Sequence, residues 1–164
     1  MSIILNVLLL FIVFTVYSKL NSSKELAANE IQHQLIYLET TIAEQMSAGW
    51  TDPEIVSRQL EQSLETMHRS GDLVNTSSNI AGKHDNKTIT AALSKLKVYK
   101  KSDGNDSGKD NASDVTHFEE LHSVLRKNGF GQGIQITVND FDAFIVKMDG
   151  LYKSMINPLE SENR

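Results

Sequence analysis

The first eighteen residues, Met1 to Ser18, carry no charged side chain, and Ile, Leu, Val and Phe fill most of them. Asn6 and Thr15 are the polar interruptions of the run from Ile3 to Val16. A helix of about 18–20 residues rising 1.5 Å per residue nearly matches a bilayer hydrocarbon core of roughly 30 Å. The stretch therefore predicts a membrane helix over residues 1–20, in contact with lipid. Tyr17 and Lys19 suit its interfacial edge, an aromatic ring beside an amine that can reach the headgroups. A secretory signal would need a basic segment ahead of the apolar core, and only Met1 and Ser2 stand there. The retained anchor is the main reading, and an exported periplasmic or extracellular protein with a cleaved signal is the alternative. Lys19 and Lys24 follow the span and no Lys or Arg precedes it, so the positive-inside rule favours a cytoplasmic body.

The rest of the chain reads as mainly α. Ser22 and Glu25 form a capping box, predicting a helix that restarts at Ser23 and runs to Ala48. Ile31, Leu35, Leu38 and Ile42 follow one another at spacings of four, three and four, a seam on one face. Gly49 suits the stop. Thr51 and Glu54 form a second box with Pro53 in the first turn, and Trp50 is placed to staple onto Ile55. The helix begun there carries Val56, Leu60, Leu64 and Met67 on one face, to Arg69, and Ser70-Gly71 closes it. So short a connection between two amphipathic helices predicts an antiparallel hairpin over residues 21–70.

Residues 71–113 read as a polar linker containing one basic helix near residues 89–100, with Ile89, Leu93, Leu96 and Tyr99 on one side. Residues 83–101 hold six lysines against Asp85. Lys95, Lys97, Lys100 and Lys101 are the candidates for resting on anionic headgroups, where each near-surface lysine is worth about 1 kcal/mol. Lys101 to Asp114 holds only Ala112 as an apolar residue and is expected to be disordered.

Residues 114–158 form a C-terminal helix–extended–helix unit, with 159–164 as a tail. A helix near Thr116–Asn128 leads to Gly129, Gly131 and Gly133, then to an extended Ile134–Val138. That strand-like run has only Leu73-Val74 as a potential partner within the chain. The last helix, Asp140 to Asn157, is expected to be capped by Asn139 and stopped by Pro158. Its Phe141, Phe144, Ile145, Met148, Leu151 and Tyr152 fall within an arc of roughly 140° at 100° per residue. This face is either core or the surface that meets a protein partner.

Chemistry is harder to find. The chain has no cysteine, which excludes disulfides, zinc–thiolate sites and thiol nucleophiles. Four of the five histidines follow an acidic residue by three positions: Glu30/His33, Glu65/His68, Asp114/His117 and Glu119/His122. That is the ligand spacing of di-iron carboxylate bundles, whose ligands must project into the core. His33 falls opposite the seam of its helix, and Glu65 opposite Leu60 and Leu64. Only His122 flanks an apolar face, beside Phe118 and Leu125. His117 and His122, five apart, point in different directions, unlike the i, i+4 pair of a zinc protease. The glycines at 129–133 follow a helix and precede an extended run, the reverse of a dinucleotide loop. A formal charge of −5 gives no footprint for nucleic acid. Asn21, Asn75, Asn86, Asn105 and Asn111 begin N-x-S/T sequons that composition alone explains. The expectation is a single-pass, membrane-anchored helical adaptor without metal or cofactor, acting through a protein partner or self-association. A membrane-bound enzyme is the remaining alternative.

Overall fold

The computed structural model describes residues 2–76, 82–99, 111–131, 133 and 140–156. In the first helix, side chains are described at Val7, Leu9, Leu10, Phe11, Val13 and Thr15, and from Ser22 onward. The described residues are mainly helical and contain no strand. The helices are α1 (Ser2–Ser47), α2 (Glu54–Thr76), α3 (Gly82–Leu96) with a 3-10 turn at Lys97–Tyr99, α4 (Asn111–Lys127) and α5 (Phe141–Ile156).

α1 is one unbroken helix, so the chain does not restart at Ser23. No Gly or Pro lies between Ser2 and Ser47, and a Ser–Ser pair is only mildly unfavourable inside a helix. A capping box works as a start signal only where the preceding backbone leaves the helix. Among the described residues no helix is long and apolar enough to cross a membrane. The span expected at residues 1–20 falls largely on side chains outside the described ones.

α1 stops as its glycine predicts. Gly49 (φ 67°) donates to the Met46 carbonyl at 3.2 Å, and Trp50 N–H donates to Gln45 O at 2.8 Å. This paired 5→2 and 6→1 arrangement satisfies two orphan carbonyls of the last turn. α4 ends the same way: Gly129 (φ 80°) donates to Arg126 O and Phe130 to Leu125 O. Phe130 and Leu125 are both buried, supplying the apolar contact that accompanies this cap.

Several helices outrun their sequence boundaries. α2 continues past Gly71 to Thr76, and the missing side chain there faces Ile89 of α3, with Cγ2 3.8 Å from an added Cβ. Leu73 and Val74 are therefore helical and cannot pair as a strand. Ile134–Val138 lies outside the described residues, as do 101–110 of the segment expected to be disordered. α3 begins seven residues before Ile89, and α4 begins at Asn111 rather than Thr116. Both extensions use polar residues, whose helical conformation depends on the packed turns that follow. α5 is capped by Asp140, not Asn139: its Oδ1 accepts from Asp142 N and Ala143 N at 3.0 and 3.2 Å.

α1 is the central post. α2 and α4 pack along it, α5 touches it, and α3 packs against α2 and α5. The core joins Ile31, Leu35, Leu38 and Ile42 of α1 to Leu60 and Met67 of α2, Leu93 of α3, Phe118 of α4 and Phe144 of α5, all essentially inaccessible. Each such side chain contributes about 1.5–3 kcal/mol by leaving water. Hydrogen bonds tie α1 to the turn before α2 and to the middle of α2: Asp52 N to Gln45 Oε1 at 3.0 Å, and Ser63 Oγ to Gln34 Oε1 at 3.2 Å.

Candidate functional site

The buried polar centre of the molecule lies between α1 and α4. Glu39 follows Leu38 on the α1 seam and is wholly inaccessible. Its Oε1 lies 3.0 Å from His122 Nε2 and 3.5 Å from Arg126 Nε, both on α4 one turn apart. The His122 side chain is 14% exposed, whereas Arg126 reaches the surface at 56%. An unpaired carboxylate in such a place would cost several kcal/mol, and two bases from the opposing helix offset that cost.

Four more contacts hold α4 in register. Trp50, in the left-handed region at φ 58°, stacks on Phe118 with ring centroids 6.1 Å apart. Its Nε1–H donates to Glu119 Oε1 at 3.1 Å. A bulky residue rarely holds that backbone conformation, and here both faces of the indole's chemistry hold it there. Ile55, the expected staple partner, is instead exposed. Glu120 accepts a hydrogen bond from Tyr99, and burial together with the Glu120 charge pushes the phenol up to about 12. Asn128 Nδ2 donates to Val124 O at 2.8 Å and to Ser154 Oγ at 3.1 Å, joining the end of α4 to α5.

Of the sequence-derived residues, Phe144, Met148 and Leu151 are core, and Phe141, Ile145 and Tyr152 are half-buried against it. The α5 face, read from the sequence as either core or partner surface, is thus largely covered by this chain's own helices. Phe141 also lies beneath Lys24, whose Nζ is 5.5 Å from the ring centroid. Lys95 is half-buried and Lys97 exposed, while Lys100 and Lys101 lie outside the described residues. The acid–histidine pairs converge on no common point: among the described residues no three His, Asp or Glu side chains could hold a metal ion. The Nε2 of His68 is buried without a hydrogen-bond partner. Burial lowers its pKa, helped by the charge of Lys97 and opposed by Asp72.

Glu39 and Arg126 were missed by spacing rules aimed at ligands. A signal was present, since Glu39 stands on the seam four after Leu35 and three before Ile42, where a charge demands a partner.

The second feature is a groove of about 590 Å³ on the outer side of α1 and α2, lined by His33, Gln34, Tyr37, Gln59, Gln62, Glu65 and Thr66. Two of its lining residues, Gln34 and Gln59, belong to a relay of side chains: Gln59 Nε2 donates to Ser63 Oγ, Ser63 to Gln34 Oε1, and Gln34 Nε2 to Glu30 Oε1. No protein-family model, curated protein or solved structure matches this chain.

Proposed function

We propose that this chain is a single-pass, membrane-anchored helical interaction protein, with α1 serving as both anchor and core post. One observation carries the reading. Val7, Leu9, Leu10, Phe11 and Val13 are 56–70% exposed on α1, whereas from Ala27 onward the same helix is buried on its inner face. An apolar stretch this long and uncovered is stable in lipid or against another chain, and costly in water. α1 runs unbroken from Ser2 to Ser47, which suits a retained anchor continuous with the core post. Positive charge at Lys19 and Lys24 favours a cytoplasmic body.

In this reading α1 and α2 form an antiparallel hairpin. Its register follows from Gln45–Asp52 and Gln34–Ser63, two contacts whose residue numbers share one sum, as a level antiparallel pair requires. The Glu39–His122–Arg126 cluster locks α4 onto the post. Its carboxylate faces the Arg126 guanidinium and the His122 ring together, an arrangement suited to holding a helix in place.

The test is fractionation. Leu9→Asp with Ile12→Asp should move the body from carbonate-washed membranes to the soluble fraction, since each aspartate costs about 2.5–3.5 kcal/mol at a span centre. Unchanged membrane association of the double variant would overturn the anchor.

A further inference from the structure

We propose that the outer face of α1 and α2 is a homodimer interface, in which two copies pack groove to groove about a two-fold axis parallel to α1. The orientation rests on the anchor reading, because copies held in one membrane by α1 have parallel posts.

The face carries complementary residues at similar heights. Leu26, Glu30, His33 and Tyr37 lie on one stripe of α1, at spacings of four, three and four. Gln62, Thr66, Arg69 and Leu73 form the corresponding stripe of α2. Leu26, Tyr37 and Leu73 are 69%, 52% and 58% exposed, more than an apolar or aromatic side chain needs to be on a covered face. In the hairpin register of Gln34–Ser63, Leu26 stands two residues from level with Leu73, as does Glu30 with Arg69 and Tyr37 with Gln62, while His33 stands one residue from Glu65, offsets of about 3 Å or less at 1.5 Å per residue.

A two-fold axis parallel to the helices preserves height and lays α1 of one copy over α2 of the other. Every such pair across the groove of one copy is then repeated between copies. Leucine meets leucine at the anchor-proximal end, and carboxylate meets guanidinium above it. His33 and Tyr37 meet Glu65 and Gln62 over the groove. Arg69 already pairs with Glu65 on its own helix, so the second copy's Glu30 would complete a network of opposite charges. An isologous contact of this kind closes on itself and needs no further partner. The alternative axis, perpendicular to the helices, reverses the heights and loses this matching.

The absence of cysteine makes the test direct. Full-length Leu26→Cys and Leu73→Cys chains, differently tagged and co-expressed, are oxidised in membranes. A mixture of Val98→Cys and Val146→Cys, exposed on other elements, serves as background. The expected result is a mixed-tag disulfide several-fold above that background, with little Leu26→Cys self-product. Glu30→Arg should lower the yield, and Glu30→Arg with Arg69→Glu should recover it. A mixed yield no greater than background, or self-product exceeding mixed product, overturns the interface. If the chain proves soluble yet the mixed product persists, the interface stands and the anchor falls.

Discussion

Replacing Gly150 by alanine should destabilise the protein, although an alanine inside a helix is ordinarily the better residue. The intrinsic gain from Gly to Ala is roughly 0.5–1 kcal/mol. At this site an added Cβ would lie 2.7 Å from Asn128 Oδ1, closer than side chains tolerate. Asn128 cannot simply turn aside, because its Nδ2 is held by Val124 O and Ser154 Oγ. Relieving the clash sacrifices one or both of those hydrogen bonds, at about 1 kcal/mol each, or separates α4 from α5. Overpacking of this kind costs typically 1–3 kcal/mol. The net expectation is a loss of about 1–2 kcal/mol. Trp50, the only tryptophan, stacks on Phe118 of α4 and so reports undocking of that helix by fluorescence during urea titration. The decisive comparison is a double-mutant cycle. With Asn128→Ala in place the obstruction is gone, and Gly150→Ala should become stabilising by its intrinsic propensity. The same sign of effect in both backgrounds would refute the reasoning.

Two further outcomes follow from the buried groups. Leaving Glu39 without its bases, by His122→Leu with Arg126→Met, should cost about 3–5 kcal/mol, whereas Glu39→Met should cost less because Arg126 can return to water; urea midpoints showing the opposite order would contradict the clasp. The depressed pKa of His68 means that the unfolded chain takes up a proton first as pH falls below 6.5. Stability should therefore decline from that point until the folded-state value is passed, and the wild-type minus His68→Leu difference should shrink over the same window in thermal melts.

Much of the architecture was written in local chemistry. Gly49 and Gly129 stop their helices in left-handed geometry, and the stripes of α1, α2 and α5 mark the faces that are buried. These signals are legible because cap geometry and helical periodicity depend on neighbours within a few residues. Helix starts at Gly82 and Asn111 were not legible, since polar residues with no stripe become helical through the cooperativity of the turns that follow. Ser22 shows the converse: a sound start signal has no effect where the backbone ahead of it is already helical.

The sequence by itself determined a helical chain with an uncharged apolar N-terminal run and no thiol chemistry. It left open whether the aromatic face of α5 looks inward or outward, because amphipathicity says that a face is covered and not by what. Only the tertiary structure decided that Phe144, Met148 and Leu151 belong to the core, with α1 and α3 as their cover. It likewise brought Glu39 to His122 and Arg126 across more than eighty residues of chain, and Trp50 to Phe118 and Glu119. Such pairings depend on distances between helices, which no window of a single helix contains.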